Sequence, residues 1–459
     1  MRMSDAEAIM WAVEKDPALR SDFTNITVLD GRPDEDRLRA KLEAALDEIP
    51  RLTQRVVSPP LRLAPPEWRD DPTLDLDYHL RKVAAPAPGG TRELLDVAAA
   101  CASTPLDRSR PLWEFTLVEG LDGGRTALLQ KVHHAVTDGV GGLKLSLSLV
   151  DFEPDAAGEP PPRASARERR ADVAHTTPTG VVSEAIAYTL RRQFDRARGG
   201  VEAAARVVTH PGAAGRGLID TAVLAASVRR QVLVTEPARS ELLRPRSLGR
   251  RFEVLQVPLD PLKARAGALG GSVNDVFVTA VTGALGAYHD RMGMPADELR
   301  MAMAVSLRAD TDDADSNRFA PSRVMVPVRP KDPAARFEVV RERLAQVKRE
   351  PALGAAGSLA GLLAPLPTSV LVGLMRSQAR TIDFATSNLR GSPVDLYVGG
   401  ARIAASFPMG PRTGCALNIT VLSYRGSLDL GINLDPAAVT DPAAFVECLE
   451  ESFASLLDQ

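Results

Sequence analysis

The tightest constraint on the fold lies between Thr126 and Val150. Thr126-Ala-Leu-Leu-Gln-Lys-Val-His133 reads as a buried strand and Gly142-Leu-Lys-Leu-Ser-Leu-Ser-Leu-Val150 as a helix, with His134, Asp138, Gly139 and Gly141 in the turn between them. A strand that runs into a glycine-rich turn lets a ligand or another stretch of chain approach closely. Successive strand residues point to opposite faces, so His133 and His134 cannot share one cavity. One imidazole is therefore expected to be reactive and the other structural.

An imidazole takes a proton from a hydroxyl or thiol near neutral pH, which makes it the commonest general base. Asp138 is placed to orient an imidazole or to brace the turn through an arginine. Zinc needs three or four convergent ligands, and no His-Glu-x-x-His or Cys-x-x-Cys spacing supplies them, so no metal is expected.

At 459 residues the chain is too long for one compact core, and two or three domains are expected. Its three cysteines, Cys101, Cys415 and Cys448, are far apart, which fits a reducing compartment and no disulfide framework. The acidic residues in Met1-Arg-Met-Ser-Asp-Ala-Glu-Ala-Ile-Met-Trp11 stand where a signal peptide needs an apolar core, so a cytoplasmic protein is predicted. Pro351 to Met375 carries no charge, yet Pro365 and Pro367 predict two short buried helices rather than a membrane span.

The net charge of -3 hides an asymmetry. From Arg163 to Arg251 there are seventeen arginines, no lysine and eight acidic residues, a balance of +9 that leaves -12 for the rest. Such a segment suits an anionic membrane, a lipid-droplet surface or the phosphates of CoA. Without interleaved aromatics it does not suit nucleic acid.

Strand and helix signals alternate irregularly through the first half, which predicts a mixed sheet. Strands are expected at 23–29, 52–57, 76–83, 112–118 and 127–132, and helices at 33–46 and 92–102. A proline- and arginine-rich linker follows from Glu153 to about Pro178, then an alanine-rich helical stretch over 183–234. The second half offers strands at 252–259, 299–307 and 322–328, and helices at 260–269, 272–288, 333–350 and 441–457. A hairpin over 417–434 is expected to turn at Arg425-Gly426. The division predicted is 1–152, a 153–250 connector, and 251–459.

Two further motifs carry chemistry or architecture. Pro111-Leu112-Trp113, preceded by Asp107 and Arg110, reads as a rigid lead-in to a strand, with a structural role favoured over a catalytic one. Asn274-Asp275 opens a helix behind Ser272; it reads either as plain capping or as an amide and helix dipole turned toward an oxyanion.

Pro111-Leu112-Trp113, His133-His134-x-x-x-Asp138-Gly139, Asn274-Asp275-Val276, Ser387-Asn388-Leu389-Arg390-Gly391 and Leu417-Asn418-Ile419 to Gly426, in that order, together resemble the bacterial wax ester synthase/diacylglycerol acyltransferase family. The likeness runs from about Ser4 to Leu457. It implies a mixed α/β fold of two chloramphenicol-acetyltransferase-like domains with the active site in a tunnel at their interface. It also implies transfer of an acyl group from a fatty acyl-CoA co-substrate to a long-chain alcohol or a diacylglycerol, with no cofactor. By position, His134 matches the general base, His133 and Asp138 match residues that shape the site, Gly139 lets the turn pass close to substrate, and Asn274 matches a contributor to activity. Asp275 is grouped with Asn274 as oxyanion support, and Ser387 and Asn388 as a structural motif. The chain departs from the family pattern at Leu389-Arg390-Gly391-Ser392, at Ser316-Asn317 and at Val276-Phe277-Val278.

No serine or cysteine stands in a Gly-x-Ser-x-Gly context, so direct transfer is expected rather than a covalent acyl-enzyme. Two other readings compete. One is an acyl-CoA-binding or lipid-surface protein that keeps the fold without turnover; the other is a condensation-type enzyme with a different acceptor.

Overall fold

A computed structural model describes residues 1–59, 64–136, 145–155, 236–306, 319–329, 332–349, 360–361, 363–364 and 366–458. The strands in chain order are β1 (Asp22–Asp30), β2 (Gln54–Val57), β3 (Glu67–Asp70), β4 (Leu80–Ala84), β5 (Trp113–Glu119), β6 (Thr126–His133) and β7 (Arg251–Pro258). They continue with β8 (Glu298–Ser306), β9 (Phe319–Pro327), β10 (Phe384–Arg390), β11 (Tyr397–Val398), β12 (Ala401–Met409), β13 (Leu417–Tyr424) and β14 (Ser427–Leu434). Two six-stranded sheets result, ordered β11-β12-β1-β6-β5-β4 and β7-β14-β13-β10-β8-β9, with a small β2-β3 ribbon beside them. Both large sheets are mixed: β4 runs parallel to β5, and β10 parallel to β13 and β8, whereas the other pairs are antiparallel. The expected mixed α/β fold is therefore the one adopted.

Local sequence explains most elements. Every residue of β6 is buried, its polar side chains Thr126, Gln130, Lys131 and His133 included. The hairpin of β13 and β14 turns at Arg425 (φ 45) and Gly426 (φ 77), the left-handed pair that a two-residue turn needs. The helix Val273–Arg291 is apolar nearly all round because it is the central helix of the second half, packed against the helices Pro333–Lys348 and Pro442–Leu457. Over 76–83 the expected single strand is instead a helical turn, Leu76–His79, followed by β4; Asp75 accepts from the Asp77 N–H and nucleates the turn.

Two strands of the second half, β11 and β12, join the first sheet. β12 comes from the second half of the chain but pairs with β1 in the first sheet, Thr24 opposite Met409 and Thr27 opposite Ser406. Residues expected to form one unit over 251–459 thus serve both sheets. Pro408 comes so close to β14 that a Cβ on Gly431 would stand 2.1 Å from its carbonyl oxygen. The buried Asp429 carboxylate stitches the same seam, accepting from the Ser406 N–H (2.8 Å) and from Gln256 Nε2 (2.9 Å).

Between 351 and 375 the described part differs from expectation. A helix, Thr368–Ala379, does begin directly after Pro367, but only Leu371, Gln378 and Ala379 are buried and Val370 is 49% exposed. It rests one face on the helix Asp5–Val13 and leaves the other open, where a buried helix was expected; most of the first expected helix lies outside the described residues. Among the described residues no single helix is long and apolar enough to cross a membrane; one pair bent by 99°, Leu259–Ala268 with Val273–Arg291, passes by length and composition, and its second member is the core helix just described. The linker beyond residue 155, the helical stretch over 183–234 and Ser316-Asn317 lie outside the described residues, as does most of the arginine-rich segment.

Candidate active site

β6 ends in the first sheet with its backbone held on both sides. The His133 N–H donates to the Leu112 carbonyl (3.1 Å) and the His134 N–H to the Ser21 carbonyl (3.1 Å). The two imidazoles then part, as strand geometry demands. His133 turns inward and is 2% exposed. Its Nδ1 accepts from the Ala135 N–H (2.9 Å), so the ring proton sits on Nε2, which lies 2.7 Å from Glu14 Oε1. His134 turns the other way, beside the Phe23 ring at 5.0 Å, into a large cavity.

Glu14 escaped the sequence reading. It follows the helix Asp5–Val13, on the same face as Trp11, and its Oε1 also accepts from the Ser21 N–H at 2.8 Å. One carboxylate therefore holds His133 through its side chain, and through Ser21 the backbone on which His134 rests. Burial pushes the Glu14 carboxyl upward, but the contact with His133, the Ser21 N–H and the Arg108 charge together hold it below the ordinary value. Arg108 is itself fixed, stacked 3.5 Å over the Trp11 ring and donating to the Trp11 carbonyl.

The cavity has a volume of about 570 Å³ and is walled by both halves of the chain. Phe23, Leu128 and Ile403 line it from the first sheet, Met303 and Leu422 from the second, and Met10 and Met375 from the two contacting helices. Most of the wall is apolar, with a few polar groups converging, which is the usual make-up of a site for a small or acyl ligand. Arg323 reaches it from β9 and donates to Gln378 Oε1 (2.9 Å); burial and then the Arg300 charge push its guanidinium down to about 10. Cys415 also borders the cavity, but its thiol donates to the Arg412 carbonyl and burial pushes it up to about 11, so it is no nucleophile.

Residues 4–277 match the Wax ester synthase/diacylglycerol acyltransferase catalytic domain, and residues 316–457 match the WS/DGAT C-terminal domain. The chain belongs to this family of acyltransferases. A putative diacylglycerol O-acyltransferase of Mycobacterium tuberculosis is 37% identical over 464 residues, covering 99% of this chain and 92% of the relative. A second from the same organism is 30% identical over 461 residues, covering 95% and 93%. Among solved structures, a wax ester synthase/diacylglycerol acyltransferase from Marinobacter aquaeolei shares the fold with TM-score 0.65 at 22% identity, covering 99% of this chain and 98% of that one. The starter condensation domain of rhizomide synthetase, solved with C8-CoA and Leu-SNAC, shares it with TM-score 0.59 at 14% identity, covering 100% and 94%.

The other motifs of this WS/DGAT-family chain take distinct places. Pro111, Leu112 and Trp113 are buried at the start of β5, which pairs beside β6 in the same sheet, Trp113 opposite Val132. Trp113 Nε1 donates to the Leu52 carbonyl (2.8 Å), and the His79 ring stacks on the indole at 4.3 Å while its Nδ1 donates to the Trp113 carbonyl (2.7 Å). Burial pushes His79 down to about 4, so it is a neutral packing group. Ser387 and Asn388 line the cavity from β10, and Asn388 Nδ2 donates to Asn274 Oδ1 at 3.2 Å, tying two motifs separated by more than a hundred residues. Asp275 does not join them. Its Oδ2 accepts from the Ser272 N–H (2.8 Å) and hydroxyl (2.7 Å), so it caps the helix, while Asn274 is not among the residues that line the cavity and meets that wall through Asn388. Of the departures, Leu389, Gly391 and Ser392 border the cavity, whereas Val276, Phe277 and Val278 are core. Asp138 and Gly139 lie outside the described residues.

Proposed function

We propose that the protein transfers a fatty acyl group from acyl-CoA to the hydroxyl of a diacylglycerol or a long-chain alcohol, directly and without a cofactor, with His134 as the general base. The observation that carries this reading is that His134 opens onto an apolar cavity walled by both halves of the chain while its neighbour His133 is turned away and held by Glu14. His134 takes the acceptor's hydroxyl proton as the oxygen bonds to the thioester carbonyl carbon. The carbon–sulfur bond then breaks and the leaving thiolate takes that proton back, giving ester and free CoA. Asn274, whose Oδ1 is engaged by Asn388, keeps its Nδ2 for the developing oxyanion. The names of the relatives support O-acyl transfer to a diacylglycerol, and the C8-CoA in the condensation-domain structure supports an acyl-CoA donor.

The test is to incubate purified protein and His134→Ala with labelled palmitoyl-CoA and hexadecanol, a diacylglycerol or a short amine. Ester product that falls at least a hundred-fold in the variant is expected, general-base loss being worth about 10²–10⁴. Turnover in His134→Ala within a few-fold of wild type sinks the assignment. Amide product indicates a condensation-type enzyme, and binding without product a non-catalytic member of the fold. The arginine-rich 163–251 segment carries a separate expectation of attachment to anionic lipid, checked by liposome flotation that weakens with added salt.

A further inference from the structure

The cavity wall changes character one side-chain step beyond His134. After Phe23 comes a band of neutral polar groups laid across β12, β1 and β6 and reaching the segment that follows: Ser406, Asn25, Thr27, Gln130 and Ser146, all lining the cavity. Asn25 Nδ2 shares its two protons among Thr27 Oγ1 (3.0 Å), Ser406 Oγ (3.0 Å) and Gln130 Oε1 (3.3 Å), and the Ser146 hydroxyl donates to the same Gln130 Oε1 (3.3 Å). Two donors thus fix the oxygen of the Gln130 amide and turn its NH₂ away from the network. Gln130 is 5% exposed, and its Nε2 has no acceptor among the described residues. The Gln130 side chain lines the cavity, and an amide donor open to it finds its partner in what fills the cavity.

We propose that Gln130 is a substrate-binding residue whose Nε2 donates to a carbonyl oxygen carried by the bound substrate, four residues along β6 from His134. The inference rests on the acyl-transfer reading for the identity of the substrate. Four strand residues span about 13 Å between Cα atoms, so the group bound is remote from the reacting hydroxyl and thioester. The band holds no cation, which suits a neutral carbonyl rather than a carboxylate or phosphate. A bare alkyl chain laid against it leaves the amide donors unsatisfied. Two parts of the substrates offer such an oxygen: an ester of an acylated glycerol acceptor, and an amide of the pantetheine arm of the acyl-CoA donor.

Binding measurements separate these sources without requiring turnover. Gln130→Met removes the donors at similar length, and Gln130→Glu replaces them with acceptors. Calorimetry with hexadecyl-CoA, a thioether that cannot react, reads the donor arm. A diacylglycerol and its dialkyl ether analogue, which lacks carbonyls, read the acceptor arm. Loss of a hydrogen bond to a buried group is expected to weaken one of them roughly ten- to a hundred-fold in both variants. Weakened thioether binding assigns the amide; a wild-type preference for ester over ether that the variants lose assigns the glyceride. Unchanged affinity for both ligands, within two-fold in whichever variant folds, overturns the proposal. Wild-type protein that binds these ligands through Gln130 yet forms no ester defeats the acyl-transfer reading and leaves the Gln130 assignment intact.

Discussion

Glu14 and His133 form the buried pair on which the site is built: Oε1 and Nε2 lie 2.7 Å apart, and the same carboxylate oxygen receives the Ser21 N–H. Because Ser21 in turn accepts from the His134 backbone, the pair fixes where the cavity-facing imidazole stands without touching the cavity itself. Glu14 is in this sense a positioning residue.

Glu14→Gln is expected to reduce stability by about 2 kcal/mol at neutral pH, the scale of a hydrogen bond to a charged group. The pH profile identifies the cause. A carboxyl held below its ordinary value of 4.5 stabilises the fold above that pH, and the contribution is lost as pH falls through the lower folded value. Wild type should therefore lose stability on acidification below about 4.5 more steeply than the variant. Thermal denaturation from pH 7 to 3 reads this, and parallel curves would remove the charge from the account.

Asn274 and Asn388 make a graded prediction. An oxyanion donor is worth on the order of 100- to 1000-fold in kcat. Asn274→Ala should fall in that range, with KM for acyl-CoA little changed. Asn388→Ala trims the cavity wall and removes the group that orients Asn274, by the 3.2 Å contact, but leaves the Asn274 donor in place, and should lose less. Steady-state kinetics of the two variants give the order, and a larger loss for Asn388→Ala would reverse the assigned roles.

How legible the site was follows from sequence separation. The strand and the opposed histidines could be read because they depend on neighbours within a few residues. The Ser272–Asp275 cap and the Arg425-Gly426 turn were readable for the same reason. Pairing of β12 with β1 joins residues nearly four hundred positions apart, and nothing in a period-two pattern says which partner a strand will choose. Glu14 and Gln130 are single polar residues within ordinary helical and strand patterns. Their roles come from what the fold sets opposite them, Ser21 and His133 for one, and Asn25 and Ser146 for the other. The burial of 368–379 was overread because an uncharged stretch does not reveal which face has a neighbour.

His79 should make the fold sensitive to mild acid. Its pKa falls from 6.5 to about 4 on burial against Trp113, so the unfolded chain binds its proton first as pH drops. The stability it contributes is complete above 6.5 and is lost as pH falls toward 4, amounting to roughly 3 kcal/mol at most. His79→Phe keeps the stacking and removes the titration. Urea unfolding at pH 7 and pH 5 should show a smaller difference for the variant than for wild type, and an equal difference would exclude His79 as the sensor.

Gly431 and Gly267 provide a matched pair for the seam between the halves. A methyl at Gly431 meets the Pro408 carbonyl oxygen at 2.1 Å, backbone against backbone, so β14 and β12 must separate. Pro408 also lines the cavity, and the displacement therefore reaches the site. Gly431→Ala should destabilise by roughly 1–3 kcal/mol, as overpacking does, and lower kcat/KM as well. Gly267 lies inside the helix Leu259–Ala268 with nothing within 4 Å of its added Cβ. Gly267→Ala should raise stability by about 0.5–1 kcal/mol and leave kcat/KM alone, because alanine is the better helix former. Melting temperatures and kcat/KM for both variants decide the matter: a Gly431→Ala protein as stable and active as wild type would mean that close contact between β12 and β14 is not needed to hold the cavity together.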